Sequence, residues 1–343
     1  MGEHLRRRMT ARLFCAGLAL MMIFGGLSRT TVFADPAVEF TDEAYFTYDE
    51  DEDSVIITGY SNEGPKDVVI PDRIAGKPVT KLGEEAFNDK DLTSVVIPNT
   101  VIEIGTSALA NNAFTEVTIP SSVEAVGYSA FINNPLSSIV LQEGLVRIEE
   151  RAFYNNKLTS LELPSSLRFI GVSAFSGSGG GLTELVIPHG VETIEGGAFS
   201  SQKISKLTLP STLTKLGSLA FSGNQLTALP EGWTSLGENG SAFSRNQLSH
   251  VVIPEGMTIL GRQALDGNRL ESVIVPESLA TVGKWAFRDN LLKWAAILNK
   301  SADIFADAFD GNPAGLVLYG HPGSTTETYA GTKGYTFCRL GGR

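Results

Sequence analysis

An Ala-Phe or Ala-Leu dipeptide recurs along this chain at a nearly constant interval. The alanines are separated by nine steps of 22 residues and by one step of 24 residues. They are Ala86, Ala108, Ala130, Ala152, Ala174, Ala198, Ala220, Ala242, Ala264, Ala286 and Ala308. A fixed period of this length is typical of solenoids, in which each copy packs only against its neighbours. The 343 residues therefore predict one elongated array, although their number alone would suggest two domains.

The copy that begins at Leu92 illustrates what each position contributes. Leu92, Val95 and Ile97 have a spacing that ends in the alternation of a half-buried strand. Such strands are predicted to stack in parallel at the 22-residue period. Pro98 ends the strand because it lacks a backbone donor, and Gly105 is predicted to need a positive φ in the turn that follows. The same glycine position recurs at Gly83, Gly127, Gly171, Gly217, Gly261 and Gly283.

Two further positions predict a repeated interior. Nine of the 18 phenylalanines directly follow the repeated alanine, so they are predicted to stack as an internal spine. An asparagine falls four residues after the alanine in most copies, where its amide would bond turn backbone that is otherwise buried unpaired. These residues are Asn112, Asn134, Asn156, Asn224, Asn246, Asn268, Asn290 and Asn312, and they are replaced in other copies by Lys90, Ser178 and Gln202.

The segments LTSVVIP, VEAVGYSAF and NNKLTSLELPSSL resemble the BspA-like leucine-rich repeat family of bacterial surface proteins. The resemblance covers residues 55–340 approximately, and it implies a β-rich leucine-rich repeat solenoid with a cap at each end. It also implies a secreted or surface-displayed bacterial binding protein, and it brings no catalytic residues. The repeat array is predicted to span residues 67–312 in about eleven copies.

The two ends of the array depart from the repeat. Residues 35–66 contain FTDEAYFTY and SVIITGY, two predicted strands joined by an acidic turn at residues 49–53, and they resemble the family's amino-terminal cap hairpin. The acidic turn could alternatively bind calcium, but it lacks the glycine and the ligand spacing of a calcium loop. Residues 313–343 resemble the carboxy-terminal cap. Its predicted elements are a strand at residues 316–319, a helix at residues 325–330 and a strand at residues 335–340.

Residues 1–34 are predicted to be a secretory signal peptide. Arg6, Arg7, Arg8 and Arg12 precede an apolar stretch at residues 13–27, and small residues precede a cleavage site near Ala34. The apolar stretch is short for a membrane span, so no span is expected after cleavage. The protein is therefore predicted to be secreted or held at the cell surface.

Loss of residues 1–34 removes five arginines and one glutamate, so the net charge changes from −11 to −15. A charge of this sign repels phosphate backbones, and nucleic acid is therefore not an expected partner. Cys338 is the one cysteine of the mature chain, so no internal disulfide is expected. We predict a monomer with Cys338 buried. The alternation in GYTFCRL also allows the opposite orientation, in which an exposed thiol could pair with another chain.

Residues that could support catalysis are scattered along the sequence. His189, His250 and His321 fall in different repeats or in the carboxy-terminal segment, and no Ser-His-Asp or paired-carboxylate spacing is recognisable. Zinc needs at least three close ligands, which these histidines and one cysteine do not provide. We therefore predict a protein that is not an enzyme, with no metal and no cofactor.

The candidate binding surface is the outward side of the repeated strands, a ladder roughly 50 Å long at ~4.8 Å per strand. The candidate residues are Val96, Thr118, Val140, Glu162, Glu184, Val186, Lys206, Thr208, His250, Val252 and Ile274. The full ladder also includes Val69, Ala228 and Ala296. Long exposed apolar stripes often mark interaction sites, and the expected partner is an extracellular protein or a cell-wall or host glycan.

A structural role is the alternative, because β-branched residues suit strands whether or not a ligand binds. A ligand-binding face should concentrate bulky or charged residues over a few adjacent repeats, whereas a spacer or matrix component of the envelope should be uniform. The ladder is nearly uniform, interrupted mainly by Glu162, Glu184, Lys206 and His250. On this criterion the sequence favours the spacer.

Overall fold

The computed structural model describes residues 39–177, 181–231 and 240–341. The predicted signal peptide at residues 1–34 and the predicted ladder position Ser178 therefore lie outside the described residues. From Phe40 onward the chain is a single unit.

The described chain consists mainly of short strands joined by turns. The first eight are β1 Phe46–Glu50, β2 Val55–Tyr60, β3 Asp67–Val69, β4 Arg73–Ile74, β5 Lys77–Leu82, β6 Ser94–Val96, β7 Glu103–Ile104 and β8 Glu116–Ile119. The next eight are β9 Ala125–Val126, β10 Ser138–Leu141, β11 Arg147–Ile148, β12 Phe169–Ile170, β13 Glu184–Val186, β14 Thr193–Ile194, β15 Lys206–Thr208 and β16 Lys215–Leu216. The last seven are β17 Ile259–Leu260, β18 Ser272–Val275, β19 Thr281–Val282, β20 Trp294–Ile297, β21 Asp303–Ile304, β22 Val317–Gly320 and β23 Thr336–Arg339. A 3-10 helix at Glu43–Tyr45 precedes β1, and helix α1 at Thr325–Lys333 lies between β22 and β23.

Most repeats contribute two kinds of strand, and each kind pairs in parallel with its equivalent one period away. The segments around Leu161, Ala228 and Val251 occupy the place that β8 and β10 take in their repeats, without forming a strand. Strands β5, β7, β9, β11, β12, β14 and β16 form one run, which β17, β19 and β21 continue as a separate sheet. The other kind forms the pairs β3–β6, β8–β10 and β13–β15 and the sheet β18–β20–β22–β23. The result is a β-solenoid of about 12 turns with parallel stacked strands, close to the eleven copies expected from the sequence.

The ends of the array carry elements that the repeat does not contain. Strands β1 and β2 pair as an antiparallel hairpin, and β2 then pairs in parallel with β5. At the other end, the Ser324 hydroxyl accepts a hydrogen bond from the Glu327 N–H at the start of α1, and Gly334 closes the helix at φ 74°. These elements lie where the sequence predicts two caps, and their role as caps stays a prediction.

Phenylalanine rings stack through the interior of the solenoid. Between Phe131 and Phe243 five successive pairs have centroids 5.2–5.9 Å apart and interplanar angles of 2–8°. Leu265 fills the next position, and Phe287 and Phe309 resume the stack at 5.1 Å. The predicted spine is confirmed, and each ring buries its faces against the turns above and below it.

Buried asparagines tie each turn to the turn before it. The Asn156 amide donates to the carbonyls of Phe131 and Phe153 at 2.9 and 3.0 Å, and its oxygen accepts from the Leu136 N–H at 3.2 Å. The predicted pairing of turn backbone is confirmed. Gln202 satisfies the pattern only in part, because Nε2 donates to the Phe175 carbonyl at 2.6 Å while the buried Oε1 has no partner among the described residues.

The repeated glycines serve a different purpose from the one predicted. Neither Gly105 nor Gly127 has a positive φ, so that prediction is wrong. A Cβ on Gly105 would lie 2.7 Å from the Leu82 carbonyl oxygen, and one on Gly127 would lie 2.6 Å from that of Ile104. The glycines therefore allow adjacent turns to approach closely. Positive φ occurs instead at non-glycine residues that flank the Ala-Phe pair, such as Ser107 at 50° and Asn111 at 54°.

Cys338 lies on β23, the last strand of its sheet, and it is partly exposed. The prediction of a buried thiol is therefore wrong. Cys338 pairs with Tyr319 on the outward side of the sheet, whereas its neighbour Phe337 pairs with the fully buried Leu318. The aromatic ring takes the inward orientation because it has more apolar surface to bury than the thiol.

Candidate binding face

The strand face is the outward side of the sheets built from β3, β6, β8, β10, β13, β15, β18, β20, β22 and β23, together with residues 160–162, 228 and 250–252, which occupy the equivalent places in the repeat without forming strands. Its side chains form two rows, because alternate residues of a strand point to opposite sides. The first outward row is Asp67, Ser94, Glu116, Ser138, Ser160, Glu184, Lys206, His250, Ser272, Trp294, Val317 and Thr336. The second outward row is Val69, Val96, Thr118, Val140, Glu162, Val186, Thr208, Ala228, Val252, Ile274, Ala296, Tyr319 and Cys338.

Strand pairing brings the predicted residues together on this face. Val140 is directly opposite Thr118, Val186 is opposite Thr208, and Glu184 is opposite Lys206. All eleven predicted binding residues are exposed, with Val186 at 63% and Val252 at 70%. The prediction that Ala296 is an accessible outward residue is wrong, because Ala296 is only 7% exposed. Its methyl group lies opposite the larger Ile274 on one strand and Tyr319 on the other.

Apart from Glu116, the amino-terminal part of the strand face has small side chains. In β6, β8 and β10 the first row is Ser94, Glu116 and Ser138, and the second row is Val96, Thr118 and Val140. Towards the middle, Lys206 Nζ lies 2.6 Å from a Glu184 carboxylate oxygen, and both side chains are mostly exposed. Such an exposed ion pair stabilises the fold by only roughly 0–1 kcal/mol. On a binding face, its charges would affect the choice of partner more than the stability of the fold.

The carboxy-terminal part of the strand face holds an aromatic cluster that the sequence prediction missed. The aromatic patch consists of Ile274, Trp294, Val317 and Tyr319. Trp294 is opposite Val317, and its ring meets Tyr319 edge-on with centroids 6.2 Å apart. Ile274 is 52% exposed and Trp294 is 37% exposed. Trp and Tyr in such exposed clusters are enriched among the residues that dominate protein interfaces.

Charged residues border the aromatic patch. Glu271 precedes β18 and Lys293 precedes β20, and Lys293 Nζ lies 2.7 Å from a Glu271 carboxylate oxygen. The hydrogen bond from Lys293, together with its charge, lowers the pKa of Glu271. An apolar centre with an ionic border is the usual organisation of a protein interface.

The sequence offered only part of the signal for the aromatic patch. Trp294 lies one period after Ser272, so the first outward row could have been extended to it. Tyr319 is opposite Ala296 although 23 residues separate them, so the 22-residue count does not identify it. The regular 22-residue period predicts which residues lie on the strand face. One inserted residue before Tyr319 shifts the count, so the period does not predict the last positions of the face.

A shallow cleft of about 590 Å³ lies at the amino-terminal end of the spine. Its lining includes Tyr45, Tyr60, Glu84, Glu85 and Lys90. The Tyr60 hydroxyl donates to the Pro65 carbonyl at 2.8 Å, and burial raises the pKa of Tyr60 to about 12. A hydroxyl with so high a pKa is a poor proton donor or nucleophile at neutral pH.

The groups considered for catalysis or metal binding stay apart. Within residues 39–177, 181–231 and 240–341 no histidine side chain makes a hydrogen bond to another residue, and no three metal-ligating side chains converge. No helix in those ranges is long and apolar enough to span a membrane. The acidic turn before β2 joins the hairpin by a hydrogen bond from the Asp51 N–H to the Ser54 carbonyl at 2.9 Å.

Comparison with known proteins agrees with this architecture. A family model described as a BspA type leucine-rich repeat region matches residues 80–202 and 178–293, in six copies. No curated protein matches the chain.

The solved structures to which the chain is similar include three bacterial proteins. The pneumococcal vaccine antigen PcpA is 15% identical, with 87% of this chain and 98% of that chain covered and a TM-score of 0.47. A leucine-rich repeat protein from Bacteroides ovatus is 17% identical, with 90% and 100% covered and a TM-score of 0.42. A leucine-rich repeat protein from T. pallidum is 25% identical, with 54% and 89% covered and a TM-score of 0.37.

Proposed function

Because the chain belongs to the BspA-type leucine-rich repeat family, we propose that it is a secreted or cell-surface protein that binds another extracellular protein through its strand face, without catalysis. The proposal of secretion rests on the charged start, apolar middle and small-residue cleavage site of residues 1–34. The proposal of protein binding rests on the chemistry of the face.

The aromatic patch is the observation that favours a binding role over a spacer. A spacer requires only that each turn packs on the next, and small outward residues such as those of β6–β10 are sufficient for that. Exposed Trp294 and Ile274 side chains reduce solubility, and a concentration of them beside Tyr319 is explained by a partner that covers them. Val252, one period before Ile274, extends the apolar surface.

The border of the patch indicates what the partner must offer. Lys293 and Glu271 are already paired with each other, and the imidazole of His250 is exposed. We expect the partner to present an apolar anchor to Trp294 and Tyr319 and polar groups to the border. A glycan would instead need several hydrogen-bonding side chains at its contact, whereas Ile274 and Val317 of the patch have none and the border pair Lys293–Glu271 is already engaged.

The test compares the mature chain with two matched double variants. Trp294→Ser with Tyr319→Ser removes the aromatic side chains of the patch, whereas Val96→Ser with Val140→Ser removes two apolar side chains from the amino-terminal part that are more exposed than Trp294. Each protein is immobilised, partners are captured from an extracellular protein fraction and from cell-wall polysaccharide, and the affinity of each identified partner is measured. Circular dichroism melting verifies that all three proteins are folded.

We expect the patch variant to lose at least about tenfold in affinity, or ~1.4 kcal/mol, while the control variant binds like the parent chain. Equal binding by all three proteins would refute the assignment of the site. Capture of polysaccharide alone would replace the protein partner by a glycan. Absence of any partner in either fraction would favour the spacer.

The oligomeric state follows from the same proposal. We expect a monomer in solution, because in this proposal the aromatic patch binds a different protein and not a second copy of this chain. Sedimentation under reducing and non-reducing conditions tests this expectation, and a dimer that reductant abolishes would identify the partly exposed Cys338 as an intermolecular link.

A further inference from the structure

Three cationic side chains surround one tryptophan at the turns near the carboxy-terminal end of the array. The Cζ atoms of Arg262 and Arg288 each lie 4.7 Å from the centroid of the Trp285 ring, and Lys284 Nζ lies 4.3 Å from it. All three distances are within the range of cation–π attraction. Trp285 directly precedes the repeated alanine, at one of the positive-φ positions (60°), so it belongs to the turns and not to the strand face.

Arg288 is fully engaged by acidic neighbours. Its Nε and one terminal nitrogen donate to the two carboxylate oxygens of Asp266 at 2.8 and 3.1 Å, and Asp289 lies 3.1 Å from Nε. Asp266 is only 1% exposed, so this bidentate pair is shielded from solvent. Arg288 therefore serves to hold the Trp285 ring and has little capacity left for a ligand.

Arg262 and Lys284 have more capacity for a ligand. Arg262 is exposed, and its guanidinium has no hydrogen-bond or ion-pair partner among the described residues. Lys284 has one acidic neighbour, Asp307, at the long distance of 3.5 Å. The turns that hold them are adjacent, because the Gln263 N–H donates to the Lys284 carbonyl at 2.9 Å.

This arrangement contrasts with three ion pairs that join consecutive turns elsewhere in the array. Where consecutive turns place two charged residues at the same position of the repeat, the signs are opposite in Lys81–Glu103, Glu184–Lys206 and Glu271–Lys293, with contacts of 2.6–2.7 Å. Arg262 and Lys284 also occupy one position in successive turns, but both are positive. Two like charges one turn apart repel each other, and the one carboxylate near Lys284 in the described part of the chain, that of Asp307, lies 3.5 Å from its Nζ.

We propose that Arg262 and Lys284, held against Trp285, bind the oxyanion group of a ligand, either a phosphate or a carboxylate. A guanidinium stacked on an aromatic face keeps its N–H edge free for two hydrogen bonds to such a group, and the ammonium adds a second positive charge. The charges of the three cations are balanced by Asp266, Asp289 and Asp307, so the proposal rests on the position of the two available cationic groups and not on a net positive charge. It lies apart from the strand face and does not depend on the protein-binding proposal.

The test titrates the mature chain with sodium phosphate, with sodium glucuronate and with sodium chloride at constant ionic strength, followed by calorimetry. Arg262→Gln and Lys284→Gln remove one charge each at exposed positions. Lys157→Gln is the matched control, because it removes one exposed lysine charge several turns away from Trp285.

We expect saturable binding of phosphate, glucuronate or both, with an affinity that falls at least about tenfold in Arg262→Gln and Lys284→Gln and is unchanged in Lys157→Gln. The stronger of the two anions identifies the chemistry of the group. Rising ionic strength should weaken the binding, since both ligating side chains are accessible to salt. Absence of saturable binding to about 10 mM of either anion, or equal binding by Arg262→Gln, would overturn the proposal.

Discussion

Along the axis of the solenoid the interior stays nearly constant, whereas the side chains of the strand face change. In the interior, rings from Phe131 to Phe243 stack at nearly constant distance, and buried asparagines repeat the same hydrogen bonds. On the strand face, the outward side chains of β6, β8 and β10 include serine, threonine and valine. Those of β18, β20 and β22 include isoleucine, tryptophan and tyrosine. The two regions share one backbone, so the difference lies in their side chains.

The comparison indicates which constraint acts on each region. An interior residue must fit identical neighbours above and below it, so one solution is repeated in every turn. An outward residue is free of that constraint, and a local group of large apolar side chains therefore needs another cause. Variants that disturb the interior should consequently change stability, and variants of the surface should leave it nearly unchanged.

The largest expected loss of stability is for Phe153→Ala. The ring is 1% exposed and lies 5.2 Å from Phe131 and 5.3 Å from Phe175. Removing it should lower the free energy of unfolding by about 3–5 kcal/mol, as for other buried phenylalanines, measured by urea denaturation. Val140→Ala, on the outward side, is the control and should stay within about 0.5 kcal/mol. Similar values for both variants would contradict the contrast between interior and face.

The second expected loss separates two adjacent asparagines. Asn156→Ala leaves the carbonyls of Phe131 and Phe153 with one partner fewer in a buried site, which should cost about 1–3 kcal/mol. Asn155 is exposed, and its amide bonds only Asn133 at 2.9 Å.

The control at the adjacent position is Asn155→Gly, because glycine tolerates the positive φ of 59° found there. Its expected cost is below that of Asn156→Ala by about 1 kcal/mol or more. Chemical denaturation of both variants gives their free energies of unfolding. Equal losses would show that the buried asparagine contributes no more to stability than the exposed one.

A gain of stability is expected where the interior pattern is imperfect. The buried Oε1 of Gln202 has no partner among the described residues. Gln202→Asn shortens the side chain to the length that pairs in the other turns, which should raise the free energy of unfolding by about 1 kcal/mol. Gln202→Ala, which removes the bond to the Phe175 carbonyl as well, should be less stable than either. A loss on Gln202→Asn would mean that the longer local period requires glutamine.

The smallest effect is expected at a surface carboxylate. The backbone N–H of Ser165 donates to Glu143 and lowers its pKa, with further hydrogen bonds from Ser166 and the Ser165 hydroxyl. A lowered pKa in the folded state stabilises the protein above the ordinary glutamate pKa of about 4.3, and this contribution is lost as pH falls through the folded pKa.

Glu143→Gln should therefore melt at a slightly lower temperature than the parent at pH 7, and the difference should disappear in acid. Glu162→Gln is the charge-matched control, because Glu162 accepts no hydrogen bond among the described residues. Thermal melts at several pH values provide the test. A difference that persists at the lowest pH would exclude titration of Glu143 as its cause.

The sequence predicts the architecture well because the period itself determines it. Eleven alanine positions at a 22-residue spacing specify parallel stacking, the phenylalanine spine and the asparagine ladder. The repeated glycines show the limit of this reasoning, because a positive φ and a close backbone approach both select glycine. Only the 2.6 Å distance from a Cβ on Gly127 to the Ile104 oxygen distinguishes the two causes.

The candidate site was harder to predict from the sequence. The outward positions of Val186 and Val252 follow from alternation alone, but Tyr319 enters the same row after a 23-residue step. The cluster at Trp285 involves residues from three turns, including Arg262 and Asp266. Pattern analysis treats each repeat position separately, so it does not reveal which outward residues meet across turns.

The pairing of each turn with only its nearest turns has a mechanical consequence. Strand β20, for example, bonds β18 on one side and β22 on the other, so a pulling force applied to the two ends is borne by every such contact in series. Under tension the chain should come apart one turn at a time from an end. Each release of 22 residues would add roughly 75 Å of extended chain, so the folded array would act as a stepwise extensible tether between whatever its two ends are attached to.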